Sequence, residues 1–259
     1  MKKFFVVAVA ICTSFAVEAQ IVKNNLFAGY AAGDKLEKQE YAEKDSPILV
    51  DTWSRGLMNS TDIQSHTAYV TDGLTYEGYN EQGLAIKMGS SFDEGARGRR
   101  PAIYSLTAGK EYRKDALYLA FLVNFEKTDA KNPSEVVALS TNYAGGGNRG
   151  TFFVARNEMD KTKLHFGVSL TKEIAVAPAT YEVGQTYLVV IKVDYSTAKA
   201  SLFVNPDLNG VEPEAVAVAD AGESGFKHAI RAISYRDRNS YKGRIGNFRL
   251  TKSWEALAE

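Results

Sequence analysis

The chain has 259 residues, with 31 basic and 31 acidic side chains and one cysteine. A neutral balance excludes nucleic acid and anionic membrane as main partners, since both select a basic excess. One cysteine excludes a disulfide framework within the chain.

The first element is a leader. Lys2 and Lys3 precede an apolar run from Phe4 to Ile11, and Val17 and Ala19 place small residues before a cleavage point at Gln20. Residues 1–19 therefore read as a secretory signal peptide. The apolar run is shorter than the roughly 20 residues of a membrane span. A lipid anchor on Cys12 is the alternative, opposed by bulky Ile11 where a small residue is usual. Cleavage removes Cys12 and leaves no thiolate nucleophile or cysteine-ligated metal. The expected location is the periplasm or the cell exterior. No later segment reaches transmembrane length.

Helical periodicity is confined to two short stretches, Asp34 to Lys44 and Ser253 to Ala258. Strand patterns fill the rest. Leu84, Ile86 and Met88 alternate with Ala85 and Lys87. Leu117, Leu119, Phe121, Val123 and Phe125 form one face of a long strand, and Tyr118, Ala120 and Leu122 make the other face apolar too, which predicts a central position. Strands apolar on both faces suit a sandwich rather than a water-filled membrane barrel. Val136 to Ser140 and Thr151 to Arg156 flank a glycine-rich loop, and Leu164 to Leu170 alternates again. Tyr187 to Tyr195 carries a fully apolar face. A turn at Ser196 and Thr197 leads into Ala200, Leu202 and Val204, and Pro206 closes that strand because it has no N–H to donate. Asp207 to Phe226 reads as loop. His228 to Arg236 and Arg244 to Leu250 are the last strands. No linker or repeat divides residues 20–259, so they are expected to form one domain, an all-β jelly-roll sandwich of two antiparallel sheets.

Tyr187 to Tyr195, then Ala200 to Asp207, then a loop with Glu212-Pro213 resemble the concanavalin A-like lectin/glucanase superfamily. More narrowly they are similar to laminin-G-like domains of secreted Bacteroidetes proteins. Ile230 to Arg236, Gly243 to Leu250 and Trp254 agree, as do Leu26 to Gly33, Thr52-Trp53-Ser54 and Leu74 to Tyr79. The resemblance implies a jelly roll of two curved sheets. Its members bind glycans, bind proteins, hydrolyse polysaccharides or serve as structural modules.

Few residues carry chemistry. Glycosidic hydrolysis in this superfamily uses acidic residues alternating on one strand, so that nucleophile and acid flank one groove. Glu158-Met159-Asp160 comes nearest, lacks the final Glu, and reads as a polar hairpin turn. Gly145 to Gly150 matches G-x-G-x-x-G, but Thr151 to Val154 predicts a strand where dinucleotide binding needs a helix. It reads as a hairpin loop whose Asn142, Tyr143, Asn148 and Arg149 offer polar contacts and a stacking ring at a sandwich rim. His66, His165 and His228 lack metal-ligand spacing. No cofactor is expected. Calcium stays open without a motif, since Asp207, Asn209 and Asp220 form no recognised loop. The run from Arg97 to Pro101 reads as a solvated loop, with acidic-sugar recognition as the alternative. Tyr235, Arg236, Asp237 and Arg238 with Tyr241 are expected in a loop between strands. There, rings would cover a pyranose face and polar groups would take hydroxyls. Trp53 and Trp254 are expected to be packed.

The expectation is thus an exported, non-catalytic module that binds a carbohydrate or an envelope protein. Its candidate ligand residues are Tyr143, Asn148, Arg149, Tyr235, Arg236, Arg238 and Tyr241. The alternatives are a polysaccharide-active hydrolase or lyase and a structural subunit of an envelope complex.

Overall fold

The computed structural model describes residues 21–40, 50–56, 67–93, 95, 100–106, 112–143, 146–221 and 228–259. The leader, Cys12, His66, residues 59–62 and residues 97–99 lie outside them.

The described chain runs through β1 (Ile21–Asn24), β2 (Gln39–Glu40), β3 (Trp53–Arg55), β4 (Tyr69–Asp72) and β5 (Leu84–Met88). A short helix α1 (Ser90–Asp93) follows, then β6 (Arg100–Ser105), β7 (Ala116–Thr128), β8 (Ser134–Ser140) and β9 (Asn148–Arg156). Next come β10 (Lys163–Ser169), β11 (Ile174–Val176), β12 (Tyr181–Glu182), β13 (Thr186–Asp194) and β14 (Lys199–Val204). β15 (Ala217–Asp220), β16 (Ala232–Asp237), β17 (Tyr241–Thr251) and a 3₁₀ turn (Glu255–Leu257) complete it.

These strands build a jelly-roll sandwich. One sheet has eight strands in the order β15-β14-β13-β7-β17-β5-β4, with β1 on β17. The other has nine, in the order β11-β10-β9-β8-β16-β6-β3-β2, with β12 on β10. All pairs are antiparallel except the short β2–β3 contact. Period two explains the layering. On β7, Leu117, Leu119, Phe121, Val123 and Phe125 enter the core between the sheets, while Tyr118, Ala120 and Leu122 join a second apolar cluster on the far side. The sequence predicts a central strand there, and β7 lies between β13 and β17.

That second cluster takes in the C-terminal turn. Trp254 and Leu257 of the C-terminal turn, with Leu74, Tyr79 and Leu208, lie on the outer face of the eight-stranded sheet. The Trp254 ring meets Phe203 at 5.1 Å and Tyr118 at 6.0 Å. Trp53 is equally enclosed, with Nε1 donating to the Leu26 carbonyl at 3.0 Å. Both tryptophans are core, as expected. The outer face of the nine-stranded sheet is likewise buried at Ser54, Ile103, Ser105, Ala138, Ala232 and Ser234, and is partly exposed around Glu135 and Phe153.

A buried polar network pins this cover down. Arg249 Nε lies 2.9 Å from Glu81 Oε2, and both side chains are about 5% exposed or less. Arg249 Nη1 donates to the Leu257 carbonyl at 3.0 Å, and Glu81 Oε1 accepts from the Asn25 N–H at 3.2 Å. Asn247, in the left-handed region at φ 53°, accepts from the Leu74 N–H and donates to the Glu81 carbonyl. The first strand, the 74–81 loop, β17 and the last turn thus meet at one ion pair.

Three expectations need correction. The described part of Asp34 to Lys44 is extended, not helical. Lys35 bridges Tyr69, and the Leu36 and Lys38 N–H groups donate to Ala68 and Trp53 carbonyls. Tertiary pairing outweighs local propensity there. The stretch after Pro206 contains β15, whose inward Ala217 and Ala219 are too small to mark a strand by hydrophobicity. The last two strands are also displaced: the one expected over His228 to Arg236 runs from Ala232 to Asp237, and the one expected from Arg244 starts at Tyr241. No helix among the described residues is long and apolar enough to cross a membrane.

Candidate functional site

On the outer face of the nine-stranded sheet, β8, β9 and β10 lay down a tile of short side chains around one ring. Phe152 and Val154 enter the core, so Phe153 between them points outward and stays half-buried. Its cross-strand partners are Glu135 on β8 and Gly167 on β10. Thr151 and Ser169 pair in the next row on the same face. A Cβ on Gly167 would press on Ile174 Cγ2 and the Ala175 carbonyl, each at 3.0 Å, so glycine lets the neighbouring strand close against β10.

Glu135 is the polar centre. The register of β8 against β9 shifts on either side of Val137. Such bulges re-aim side chains; here Val136 and Val137 both enter the core while Glu135 stays outside. Arg236 Nε approaches its Oε1 at 3.4 Å, Arg238 Nη2 its Oε2 at 3.8 Å, and Asn148 Nδ2 donates to Oε1. Arg238 Nε also donates to the Glu135 carbonyl at 3.2 Å. Three of the sequence candidates, Asn148, Arg236 and Arg238, therefore converge on a carboxylate the sequence reading passed over.

Two grooves flank this centre. One, of about 470 Å³, has Phe153, Thr151 and Ser169 in its floor and Glu135, Asn148 and Arg149 along its wall. The other, of about 450 Å³, lies across Phe153 and Glu135 toward Asn132, Pro133 and Arg238. A third, of about 490 Å³, shares Arg149 and Gly147 with the first and continues to Asn142, His228 and Arg231. The described residues lining the three grooves include one carboxylate, Glu135.

The tyrosines expected to stack on a ligand are elsewhere. Tyr235 lies within β16, with no exposed surface and its hydroxyl donating to Asp237 Oδ1 at 2.7 Å. Tyr241 is buried at the start of β17, edge-on to Phe125 at 5.9 Å. Its hydroxyl donates to the Arg236 carbonyl and lies 3.2 Å from that of Glu135, bracing the site from beneath. Tyr143 packs with Ile103 and Ala232. None of the three presents a ring face to solvent, because their apolar bodies fill the sandwich and its loop contacts. Burial pushes the hydroxyls of Tyr235 and Tyr241 well above the ordinary tyrosine value, so they remain neutral donors.

Asp237 also faces inward. Its carboxylate accepts from Tyr235 Oη, from the Gly89 N–H at 2.6 Å, from the Ser91 N–H at 3.1 Å and from Ser91 Oγ. It thereby clamps the β5–α1 turn to the end of β16. Burial pushes its carboxyl above the ordinary 3.8, and the four donors pull part of the way back.

Glu158 to Asp160 form the hairpin turn expected of them, with Asp160 Oδ1 accepting from the Thr162 N–H and hydroxyl. His165 bonds Asn157. Asp207 accepts from the Asn209 N–H, and Asp220 lies 3.7 Å from Lys199. Among the described residues no group of three His, Cys, Asp or Glu side chains gathers to hold a metal. What the sequence reading missed, Glu135 and Phe153, had one hint: an aromatic side chain on the outward phase of β9.

No family model and no curated protein matches the chain. Among solved structures it is similar to the globular domain of T. cruzi calreticulin, at 11% identity over 80% of this chain and 86% of that one, with a TM-score of 0.47. It is also similar to a GH131 beta-glucanase catalytic domain from Podospora anserina, at 8% identity over 78% and 88%, with a TM-score of 0.43. The native heptameric SAP-like pentraxin of Limulus polyphemus matches at 10% identity over 62% and 81%, with a TM-score of 0.38.

Proposed function

We propose that this protein is a non-catalytic carbohydrate-binding module of the concanavalin A-like, laminin-G-like kind, whose glycan lies on the outer face of the nine-stranded sheet. The observation that carries this reading is the outward Phe153 ring set among Thr151, Ser169 and an arginine-held Glu135 in one groove. A partly exposed ring offers apolar cover to a sugar face, and the Glu135 carboxylate beside it offers a partner to the sugar's hydroxyl groups. Glu135 is the one carboxylate among the described residues that line these grooves. Hydrolysis in its usual form uses two carboxyls roughly 5–9.5 Å apart, and Glu135 has two guanidinium groups, Arg236 and Arg238, as its neighbours. Export to the periplasm or the exterior belongs to the same proposal and rests on Lys2, Lys3 and the apolar run to Ile11.

The test is a polysaccharide panel read by affinity electrophoresis with the processed protein. Retardation by at least one glycan is expected. Phe153→Ala should weaken it about tenfold, and because the ring is largely buried the variant's urea midpoint is measured alongside to confirm that it is folded. A panel with no retardation, or a Phe153→Ala protein that binds like the parent, would overturn the reading.

A further inference from the structure

The outer face of β9 and β10 continues past Phe153 to the edge of the sheet. Phe153 pairs with Gly167, and Gly167 pairs in turn with Val176 of β11, so the three share one row and one face. In the next row Thr151 and Ser169 lead to Ile174. Ala175 packs against the core, which sends Ile174 and Val176 outward on either side of it. Both stay in water: Ile174 is 36% exposed and Val176 48%. Gly167 draws them toward the ring. Ile174 Cγ2 lies 3.0 Å from the place a Cβ on Gly167 would occupy, so the isoleucine leans into the space that a side chain would fill. Phe153, Ile174 and Val176 thus form one apolar strip across three strands, about 10 Å from β9 to β11 at the usual strand spacing. Polar groups flank it. Glu135 stands on the far side of Phe153, and Thr171 and Lys172 line the groove beside Ser169.

The size of the strip selects its occupant. β11 has three residues, and Pro178 follows shortly after, so a partner strand would find few backbone groups to pair with. A second copy or another folded protein needs about 800 Å² of contact on each side, and one ring with two aliphatic side chains falls well short. A sugar chain meets both limits. It needs no backbone pairing, and the apolar faces of successive rings can lie on a phenyl group and two aliphatic groups in turn.

We propose that the glycan site continues from Phe153 over Gly167 to Ile174 and Val176, and that its ligand is a linear chain of several sugars laid across the strands. This deepens the binding reading above and rests on it. One sugar covers the ring. The aliphatic pair is reached only by units further along, so affinity grows with chain length until the strip is covered.

The experiment titrates the processed protein by calorimetry with the disaccharide and the hexasaccharide of the cello-, laminari- and xylo-oligosaccharide series, and runs hydroxyethylcellulose, laminarin and xylan in affinity gels. At least one hexasaccharide should bind about tenfold more tightly than its disaccharide. Val176→Lys and Ile174→Thr alter exposed positions on an edge strand, where lysine and β-branched residues are well tolerated. Together they should remove most of the tenfold difference and leave the disaccharide affinity unchanged. Phe153→Ala should weaken disaccharide and hexasaccharide alike. A hexasaccharide that binds no better than its disaccharide, or a length effect that survives both edge substitutions, would overturn the inference and leave the binding reading standing. Were none of these oligosaccharides or polymers bound, the binding reading and the inference would fall together. Sedimentation of the parent at rising concentration checks the competing occupant. A dimer that Val176→Lys dissociates would overturn the inference in favour of pairing between copies at β11. If Val176→Lys does not fold, judged by its near-ultraviolet dichroism, Val176→Thr keeps the branched shape and takes its place.

Discussion

Replacing Arg249 by Met is expected to lower the unfolding free energy by about 3–5 kcal/mol. The arginine is nearly sealed from water and its Nε lies 2.9 Å from Glu81 Oε2. Methionine fills much of the same volume, so little of the loss comes from packing. The loss comes from Glu81, left in a dry site without its ion-pair partner and with the Asn25 N–H as a remaining donor. The Leu257 carbonyl loses a donor as well. For a domain of this size each kcal/mol moves the midpoint by about 2–4 °C, so thermal unfolding should begin roughly 10 °C lower. The pair also has a diagnostic coupling. Removing both charges, as Glu81→Leu with Arg249→Met, should recover a large part of the loss, because no uncompensated charge remains. Urea unfolding of the parent, both single variants and the double variant gives the coupling directly. A single variant costing less than about 1 kcal/mol would mean that the C-terminal cover is held by Trp254 and Leu257 alone.

A second large effect is expected at Asp237. Asp237→Ala leaves the Gly89 and Ser91 N–H groups and the Tyr235 hydroxyl buried without their acceptor. At about 1–3 kcal/mol for each dry donor, less the relief of no longer burying a charge, the loss should be about 3 kcal/mol or more. Asp237→Asn should lose less. It keeps the shape and one acceptor, but its NH₂ must face a donor. The pH dependence runs opposite to that of an ordinary salt-bridged aspartate. Burial raises the folded-state pKa above 3.8, so the folded chain holds this proton more tightly than the unfolded chain. Between the two values the fold carries more bound protons, and stability falls as pH rises through the folded-state value. The contribution is complete only below about 3.8. Asp237→Asn should lack that downward slope. Parallel pH–stability curves for parent and Asp237→Asn would show that the carboxylate is already ionised throughout the range.

The two readings of the Tyr235 to Tyr241 stretch explain why the site was only half legible. Aromatics beside arginines look like a sugar-binding loop. Period two, continued two residues further, sends Tyr235 and Asp237 inward and Arg236 outward. The arginines therefore did belong to the outer face and the tyrosines did not. Glu135 was invisible for a different reason. A bulge on β8 breaks the alternation that would place it, and a bulge is a property of pairing with β9, not of β8 alone. β15 was missed because alanine serves an edge strand as well as it serves a loop.

By itself the sequence determined the long strands. On β7 and β13 long apolar runs mark buried strands, and the two apolar faces of β7 announce its central place. It also determined that Trp53 and Trp254 belong to the interior. Only the tertiary structure decided that the last turn folds back over the outer face of the eight-stranded sheet. It alone brought Arg149 and Arg231 to one groove, and Asn148, Arg236 and Arg238 to Glu135. Such meetings join residues up to about a hundred positions apart, and contacts at that distance are fixed by sheet order and register, which no local pattern encodes.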